Sequence, residues 1–538
     1  MTAVQRARRA HLRLVARRGS AETGYVAVLV GLLLTVLLGC CAFAVDVGNW
    51  YYTGQRAQRA ADAAALAAVP YLPGDPTTAY GVARTLASQN GFAASADTVV
   101  VPVVGSKSTR MRVDVSRTVK NNFGWLLGLP TTTVGRSAVA DYAGPVPMGS
   151  PCNEFGDDPD PGSRRSTNCD GTAQFWANVG SPQAAKSYGD AYQNQMGTNA
   201  DYDVNGYYYT VTVTKPTTNL TFEAFDPALI AVGDRCDTNL TGASSLHQGS
   251  NTVVVDPDVR YASGPSSKYC TGDVRFGGTG EVQTEFSIRE ASATTNQWDP
   301  TSYAARAGCT TRFAGFNGDL SVALDRKNAG FRADVADNFR QWVQLCRING
   351  VTQPGTYLIQ VKTNQVGNDQ ASGHNRFSLR AWGTNNKAED GISVAGFGKM
   401  AMYGNTPAGT SKFFLARVPS GSRGQLFRVR LYDIGDGTTG NSTIKVLPPT
   451  ESGGGFTGCI GSGIQNGTLS DCTINVSSAF NGQWQDVTIP LPATYSCTDS
   501  SPTGCWLRLE FFYGSGSQPA DTTSWTASIA GDPVRLVQ

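Results

Sequence analysis

The sequence predicts an α+β chain: a single N-terminal transmembrane helix extended into a rod, a small α/β head, and then mainly antiparallel β-sandwich domains. Three observations carry this. The stretch from Gly24 to about Pro70 is long, uncharged over its first part and free of proline until Pro70. The residues that follow, up to 143, mix a helical pattern with period-two strands. Beyond 144 the texture changes to short β-rich runs between Gly, Asn, Thr and Ser turns, and long helical patterns nearly vanish.

Between Glu22 and Asp46 no residue is charged, and Leu, Val and Ala dominate. At ~1.5 Å rise per residue, about 22 such residues give a helix of roughly 33 Å, enough to cross a hydrocarbon core of ~30 Å. An isolated segment in lipid must satisfy its own backbone groups, so it has to be a helix. Arg56, Arg59 and Asp62 then interrupt an Ala-rich run with no proline before Pro70. That predicts one continuous rod, with Trp50, Tyr51 and Tyr52 at the membrane interface. Asp46 is expected to mark the exit into water, the alternative being a polar contact to another helix. The expected divisions are a basic cytoplasmic tail (1–23), the transmembrane helix (24–46), a helical stalk with a small head (47–143), a first β-sandwich region (144–300), a second (301–450) and a C-terminal β region (451–538).

Two motifs follow the apolar run: Ala44-Val-Asp-Val-Gly48 with the aromatics Trp50 to Tyr52, then the polar turn Gln55 to Gln58 leading into the Ala-rich Ala61 to Ala68. With the small-residue start and the membrane helix, this resembles the TadG-like N-terminal module of Flp/Tad pilus-assembly systems, over about residues 18–70. The resemblance implies a bitopic protein associated with assembly or anchoring of such a pilus. It also implies a pilin-like arrangement of long helix and small head, and no catalytic residue.

Charge supports an orientation. Arg6, Arg8, Arg9, Arg13, Arg17 and Arg18 precede the apolar run without an acid among the first 20 residues, although the net charge of the chain is only +2. Directly before a membrane helix such a cluster reads as a positive-inside flank rather than a nucleic-acid arm, which places the N-terminus in the cytoplasm and the rest outside. A cleaved signal peptide and a prepilin-type cut after Gly19 compete with a retained anchor; the length of the run favours the anchor. Cys40 and Cys41 lie in the span. The other ten cysteines, Cys152, Cys169, Cys236, Cys270, Cys309, Cys346, Cys459, Cys472, Cys497 and Cys505, form no C-x-x-C, and an even number in an exported region reads as disulfides. Sequence neighbours are the expected pairs, although spacing alone does not fix connectivity.

Along the chain, the proline-rich stretch 70–76 stops the rod. Thr77 to Asn90 reads as a short helix, Val99 to Val104 and Thr109 to Val119 as a hairpin turning at 105–108, Asn121 to Gly128 as a short helix and Thr131 to Asp141 as a strand. Residues 143–151 read as a linker. Beyond it, Tyr207 to Thr214 with Asn219 to Phe225, and Gly355 to Lys362 with Arg376 to Trp382, look like two strand pairs and hint at two related sandwiches. Asp334 to Cys346 reads as a short helix. Strands at Leu426 to Leu431, Thr443 to Leu447, Trp484 to Leu491, Trp506 to Tyr513 and Trp525 to Ile529 would complete a last sheet, with Gly531 to Val537 as its edge.

Candidate sites are few. Asp201, Asp203, Asn205 and Tyr207, around Gly206, match the opening of a calcium loop, but position twelve is Thr212 and lacks the bidentate carboxylate. Ordinary turn chemistry explains the same residues. Asp114-Val-Ser116-Arg-Thr118 approximates a metal-dependent adhesion motif, but its alternation puts the Asp on the wet face of a hairpin. Asp433 to Gly437 reads as a hairpin loop. No nucleophile or phosphate-loop motif is present, so no enzyme activity, no cofactor beyond the calcium candidate and no nucleic-acid partner is expected. The expected partners are the membrane and pilus-assembly components. The alternative is a surface adhesin or carbohydrate-binding protein using the same anchor, with Trp382, Trp484, Trp506 and Trp525 as candidate sugar platforms.

Overall fold

A computed structural model describes residues 3–537 except 73–75, 106–109, 143–144, 161, 163, 167–168, 170–174, 238–239, 241–244, 251, 255–259, 265–266, 293–294, 296–298, 365–369, 385–390, 405–408, 439–440, 518–519 and 530–533; side chains are described from Gly24 onward, apart from those of 142, 364 and 535. The expected turn at 105–108 and parts of the stop at 70–76, of the linker at 143–151 and of the run 531–537 therefore lie outside the described residues. The chain forms two units, one of residues 1–142 with 534–538, the other of residues 143–533.

In the first unit α1 (Ala3–Ala68) is one unbroken helix, ended by a 3-10 turn at Val69–Tyr71 that carries a proline at its start. From Gly24 its membrane-length portion has a mean hydropathy of 2.8 in its most apolar window. Between residues 24 and 52 only Asp46 is buried. Burial resumes at Thr53 and Gly54, and Ala57, Ala60, Ala61, Ala64, Ala65 and Ala68 are fully buried. Their i, i+3/i+4 spacing makes one continuous face. That face packs on α2 (Pro76–Gln89), which answers with Ala79, Ala83 and Ala87, and on the strands β2 (Arg110–Lys120) and β3 (Thr131–Tyr142). Methyl-sized side chains let the backbones approach closely, each adding about 0.8 kcal/mol of burial. The Ala-rich motif is thus a packing surface.

β1 (Thr98–Val104) pairs antiparallel with β2, and β2 with β3. Met111, Val113 and Val115 of β2 point inward while Arg112 faces out, as the alternation predicts. The fourth strand comes from the far end of the chain: Val534–Leu536 pairs with β3. The expected edge strand of the C-terminal sheet therefore belongs to the first unit. The β-rich unit is an insertion between β3 and this last strand.

Among the described residues the second unit is built of two sheets, of ten and twelve strands; two of the twelve, Glu154–Phe155 and Val274–Gly277, lie beside the main path and pair with Ser372–Trp382. One runs from Ala304–Phe313 through Gln283–Glu290, Gly355–Asn364, Tyr207–Val213 and Ile392–Gly396 to the two-residue strand Met148–Gly149. It continues through Gly409–Arg417, Trp506–Tyr513, Ser442–Leu447 and Thr473–Val476. The other runs from Trp342–Thr352 through Thr217–Phe225, Ser372–Trp382, Phe175–Gly180 and Lys399–Gly404, then Asp521–Ile529, Leu426–Tyr432, Trp484–Pro490, Cys459–Gly463 and Gly467–Leu469. In both sheets, apart from the Met148–Gly149 strand, those before residue 405 occupy one side and those after 408 the other. Two sandwich halves are therefore fused edge to edge. Their inner faces share one core, with edge-on contacts such as Phe155 to Tyr209 at 4.7 Å and Phe175 to Phe413 at 5.6 Å. Within it Arg380 is buried and balanced by Asp158 at 2.9 Å and Glu223 at 2.8 Å, with the Trp342 ring 3.9 Å from its guanidinium.

This arrangement corrects several expectations. The boundary at 300/301 is crossed by pairing, since Tyr207–Val213 is bonded to Gly355–Asn364. Those two strands are neighbours in one sheet, so their likeness does not mark two sandwiches. Thr217–Phe225 pairs instead with Trp342–Thr352 and Ser372–Trp382 in the opposite sheet. Both expected strand pairs are layer crossings, not hairpins. The helix expected over Asp334 to Cys346 shrinks to Ala333–Ala336, and Trp342 to Cys346 is strand because the Thr217–Phe225 edge supplies its partners. The strands expected at 426–431, 443–447, 484–491, 506–513 and 525–529 are all present.

The ten cysteines beyond residue 150 pair as sequence neighbours: Cys152–Cys169, Cys236–Cys270, Cys309–Cys346, Cys459–Cys472 and Cys497–Cys505. Cys309 and Cys346 stand on strands of different sheets, so this bridge ties the two layers. Chain entropy assigns about 2.5 kcal/mol to the shortest loop and about 4 to the longest. Mass mapping without reduction should return these five pairs, and reduction should lower the unfolding midpoint. Free thiols among the ten would contradict both the pairing and the oxidising compartment.

Candidate functional site

The first unit's most specific polar geometry lies where the apolar run ends. One oxygen of the Asp46 carboxylate accepts the Asn122 N–H at 2.6 Å; the other accepts those of Phe123 at 2.9 Å and Gly124 at 2.7 Å. One helical turn later, on the same face, Trp50 donates its indole N–H to Asn121 Oδ1 at 2.8 Å. Asn121 in turn donates its side-chain amide to the Leu129 carbonyl at 2.7 Å and to Thr132 Oγ1 at 3.0 Å. The segment 121–129 between β2 and β3 is thereby closed into a loop and fastened to the helix at two points. Its short helix is a single 3-10 turn, Gly124–Leu127, ended by Gly128 at φ +80°. Gly124 sits close to its neighbours: a Cβ there would lie 3.0 Å from both Asn121 Nδ2 and the Leu129 carbonyl, and would have to displace them by a few tenths of an ångström.

Burying a carboxylate is tolerable only when donors replace water, and three successive amides do so here. The sequence places Asp46 at the exit from the membrane, but pairing it with residues 122–124 requires knowing that β2 returns to the helix. An acid one turn before a Trp at the lipid boundary is the signal that could have flagged it. Further along, Gln58 donates to the Ser137 carbonyl at 3.2 Å and to Asp62 at 2.8 Å, joining the polar turn to β3.

Residues 24–79 match the family model Tad, described as "Putative Flp pilus-assembly TadE/G-like". The matched segment holds the membrane-length helix, the Asp46–Trp50 turn and the buried Ala face, and it ends inside α2. It bears out the resemblance read from the two motifs, and supports association with Flp/Tad pilus assembly. No curated protein and no solved structure matches the chain.

The calcium loop expected at Asp201, Asp203, Asn205 and Tyr207 does not fit a cation. Asp201 is bonded to the Lys186 ammonium at 2.7 Å and Asp203 to that of Lys399 at 2.6 Å. Burial works to raise both carboxyls, yet these lysines hold them below the usual carboxylate range. Asn205 contributes its backbone N–H to Asp203 at 2.8 Å, forming an ordinary Asx turn. The Tyr207 hydroxyl is turned to Asp190 in the core. Asp114 is held by Arg112 at 2.9 Å on the exposed side of β2, as its alternation implies. Asp433 is buried in its loop; burial and the neighbouring Asp436 push its carboxyl up to about 8. The Glu451, Cys497 and Cys505 group is no metal site, since its two sulfurs are bonded to each other. Of the four tryptophans considered as sugar platforms, Trp506 and Trp525 are core residues. Trp484 and Trp382 are half-buried, the first among Tyr432, Tyr192 and Arg430, the second with the Arg164 guanidinium 4.6 Å from its ring.

Two outcomes follow. Asp46→Ala should accelerate amide exchange across residues 121–129 while leaving the Ala57–Ala68 face protected, and Asp46→Asn should fall between; unchanged exchange in the loop would remove the junction's role. Asp203→Ala strands the Lys399 ammonium and should cost about 1–2 kcal/mol of stability for this partly exposed pair. The loss should be equal with and without calcium, whereas a calcium-dependent rise in the wild-type midpoint would restore the loop as a metal site.

Proposed function

We propose that this chain is a single-pass, non-enzymatic envelope component of Flp/Tad-type pilus assembly, with its N-terminus in the cytoplasm and both folded units on the other side of the membrane. The observation that carries this reading is the family match on residues 24–79, because it falls on the segment where an apolar helix runs without a break into the base of a folded head. The orientation rests on charge. Keeping six arginines in the cytoplasm avoids moving each against a membrane potential worth ~2.3 kcal/mol per charge per 100 mV. The disulfide-rich unit favours the same side assignment, since such bridges persist in oxidising compartments. The anchored adhesin alternative draws little support from the tryptophans now found in the core.

Because Val534–Leu536 is a strand of the head sheet, a reporter fused after Gln538 reports the head's side of the membrane. An export-dependent phosphatase there should be active, and replacing the six arginines by Gln should weaken that preference without preventing insertion. Deleting residues 20–70 should release the protein from membranes. A cytoplasmic signal from the unmodified chain would overturn the orientation and the compartment together.

A further inference from the structure

The loop fastened to Asp46 has an apolar surface that its fold does not use. Phe123 is 41% exposed, Trp125 59%, Leu126 64%, Leu127 75% and Leu129 55%. So many large apolar side chains on one short loop make a contiguous patch of the kind that marks a membrane or partner contact. Its position decides between them. Phe123 and Leu126 line a shared recess with Leu38, Cys41, Ala42 and Val45, all in the apolar run before Asp46. At ~1.5 Å per residue, Leu38 lies ~12 Å from Asp46 along the helix axis. The medium that surrounds this part of the helix must therefore surround the loop tip as well.

We propose that residues 123–129 are a second membrane contact, dipping into the leaflet on the head's side beside the helix; this rests on the proposed anchor. The backbone is prepared for that medium. Hydrocarbon offers no partner to a peptide group, so a loop in lipid must satisfy its own. The amides of Asn122, Phe123 and Gly124 are taken by Asp46, and that of Asn121 by the Pro130 carbonyl at 3.0 Å. Leu126 N–H bonds to the Phe123 carbonyl at 3.0 Å, Gly128 to Trp125 at 3.1 Å and Leu129 to Gly124 at 3.0 Å. The Trp125 indole N–H bonds to the Asn122 carbonyl at 3.1 Å. Trp50 and Trp125 both pair their polar edge within the junction, as interfacial tryptophans do when one end is apolar and the other polar. The exposed Lys120 just before the loop can reach headgroups along its aliphatic stem. The loop thereby fixes the depth and tilt of the helix, because helix and loop must enter the lipid together.

The test uses the full-length chain carrying Cys40→Ala and Cys41→Ala, with a nitroxide on one introduced cysteine: Leu127→Cys in the loop, Leu33→Cys in the helix or Thr77→Cys on α2. Each is reconstituted in vesicles of phosphatidylcholine and phosphatidylglycerol at several lipid-to-protein ratios, and relaxation by oxygen is compared with relaxation by a water-soluble nickel chelate. The Leu127 label should group with Leu33, favouring oxygen at every ratio, and Thr77 should favour the chelate. Chelate access at Leu127 with Leu33 still in lipid would overturn the loop contact and leave the anchor standing. Chelate access at both would overturn the anchor and the loop contact together. Shielding of Leu127 that disappears on dilution with lipid would mean that a second copy covers the patch, and the lipid contact would be wrong.

Discussion

From Gly24 to Tyr52, Asp46 is the one buried residue of the long helix. Its carboxylate takes three consecutive backbone amides of a loop more than seventy residues away in sequence. The bond set is mutual in its constraint. A carboxylate at the end of an apolar run is costly to strip of water without donors, and three neighbouring amides in a tight turn are costly to leave without an acceptor. Each satisfies the other at one register of helix against sheet, and sliding the helix by a turn would break both. Trp50 and Asn121 repeat the condition one turn further on. The helix and the head sheet are therefore held in one register by polar contacts as well as by methyl packing.

Packing continues from that point with small side chains. The alanines between Ala57 and Ala68 lie flush against α2 and β3, and a larger residue on this face would push the helix off the sheet. The same run explains why the helix needs no break where the apolar stretch ends. Alanine has the highest helix propensity, so the rod remains helical in water after leaving the apolar run. β3 then serves twice, as the last strand before the inserted β unit and as the partner of the strand that follows it. The insertion is consequently tied to the head by both of its ends.

Elements whose information is local were legible in the sequence. The helix, the three first head strands and the short turn at 124–127 follow from hydrophobic period, from breakers and from Gly128. What depends on partners distant in sequence was not. Period-two alternation says that Tyr207–Val213 has one buried face, but not which strand lies beside it; Thr214-Lys-Pro216 looks like a hairpin turn while the chain there passes to the other sheet. The Asp201–Tyr207 segment carries calcium-like spacing, yet Lys186 and Lys399 come from outside the motif and fill the place of the cation. Trp525 could equally be a platform or a core residue on alternation alone, and it is core because strands pair with it on both sides. The Asp46 junction was half legible: the acid and the Trp stood out, but the loop they hold did not.

Membrane placement follows from connectivity as much as from composition. The last strand returns to β3, so the end of the β unit and the base of the head share one side of any bilayer that the apolar helix crosses. Gly24–Tyr71 is the one helix among the described residues long and apolar enough to span. With a single crossing, the arginine cluster and the disulfide unit must stand on opposite sides. Reversing the chain would expose five bridges to a reducing medium and carry six guanidinium groups across hydrocarbon, two separate penalties with no common cause. The apolar loop beside Leu38 adds a third condition, on depth rather than direction. Asp46 can keep its three amides only if the loop stays beside the apolar run, so a bilayer crossed by that run would meet the loop as well, and the bonds that hold the head to its helix would set the head's depth.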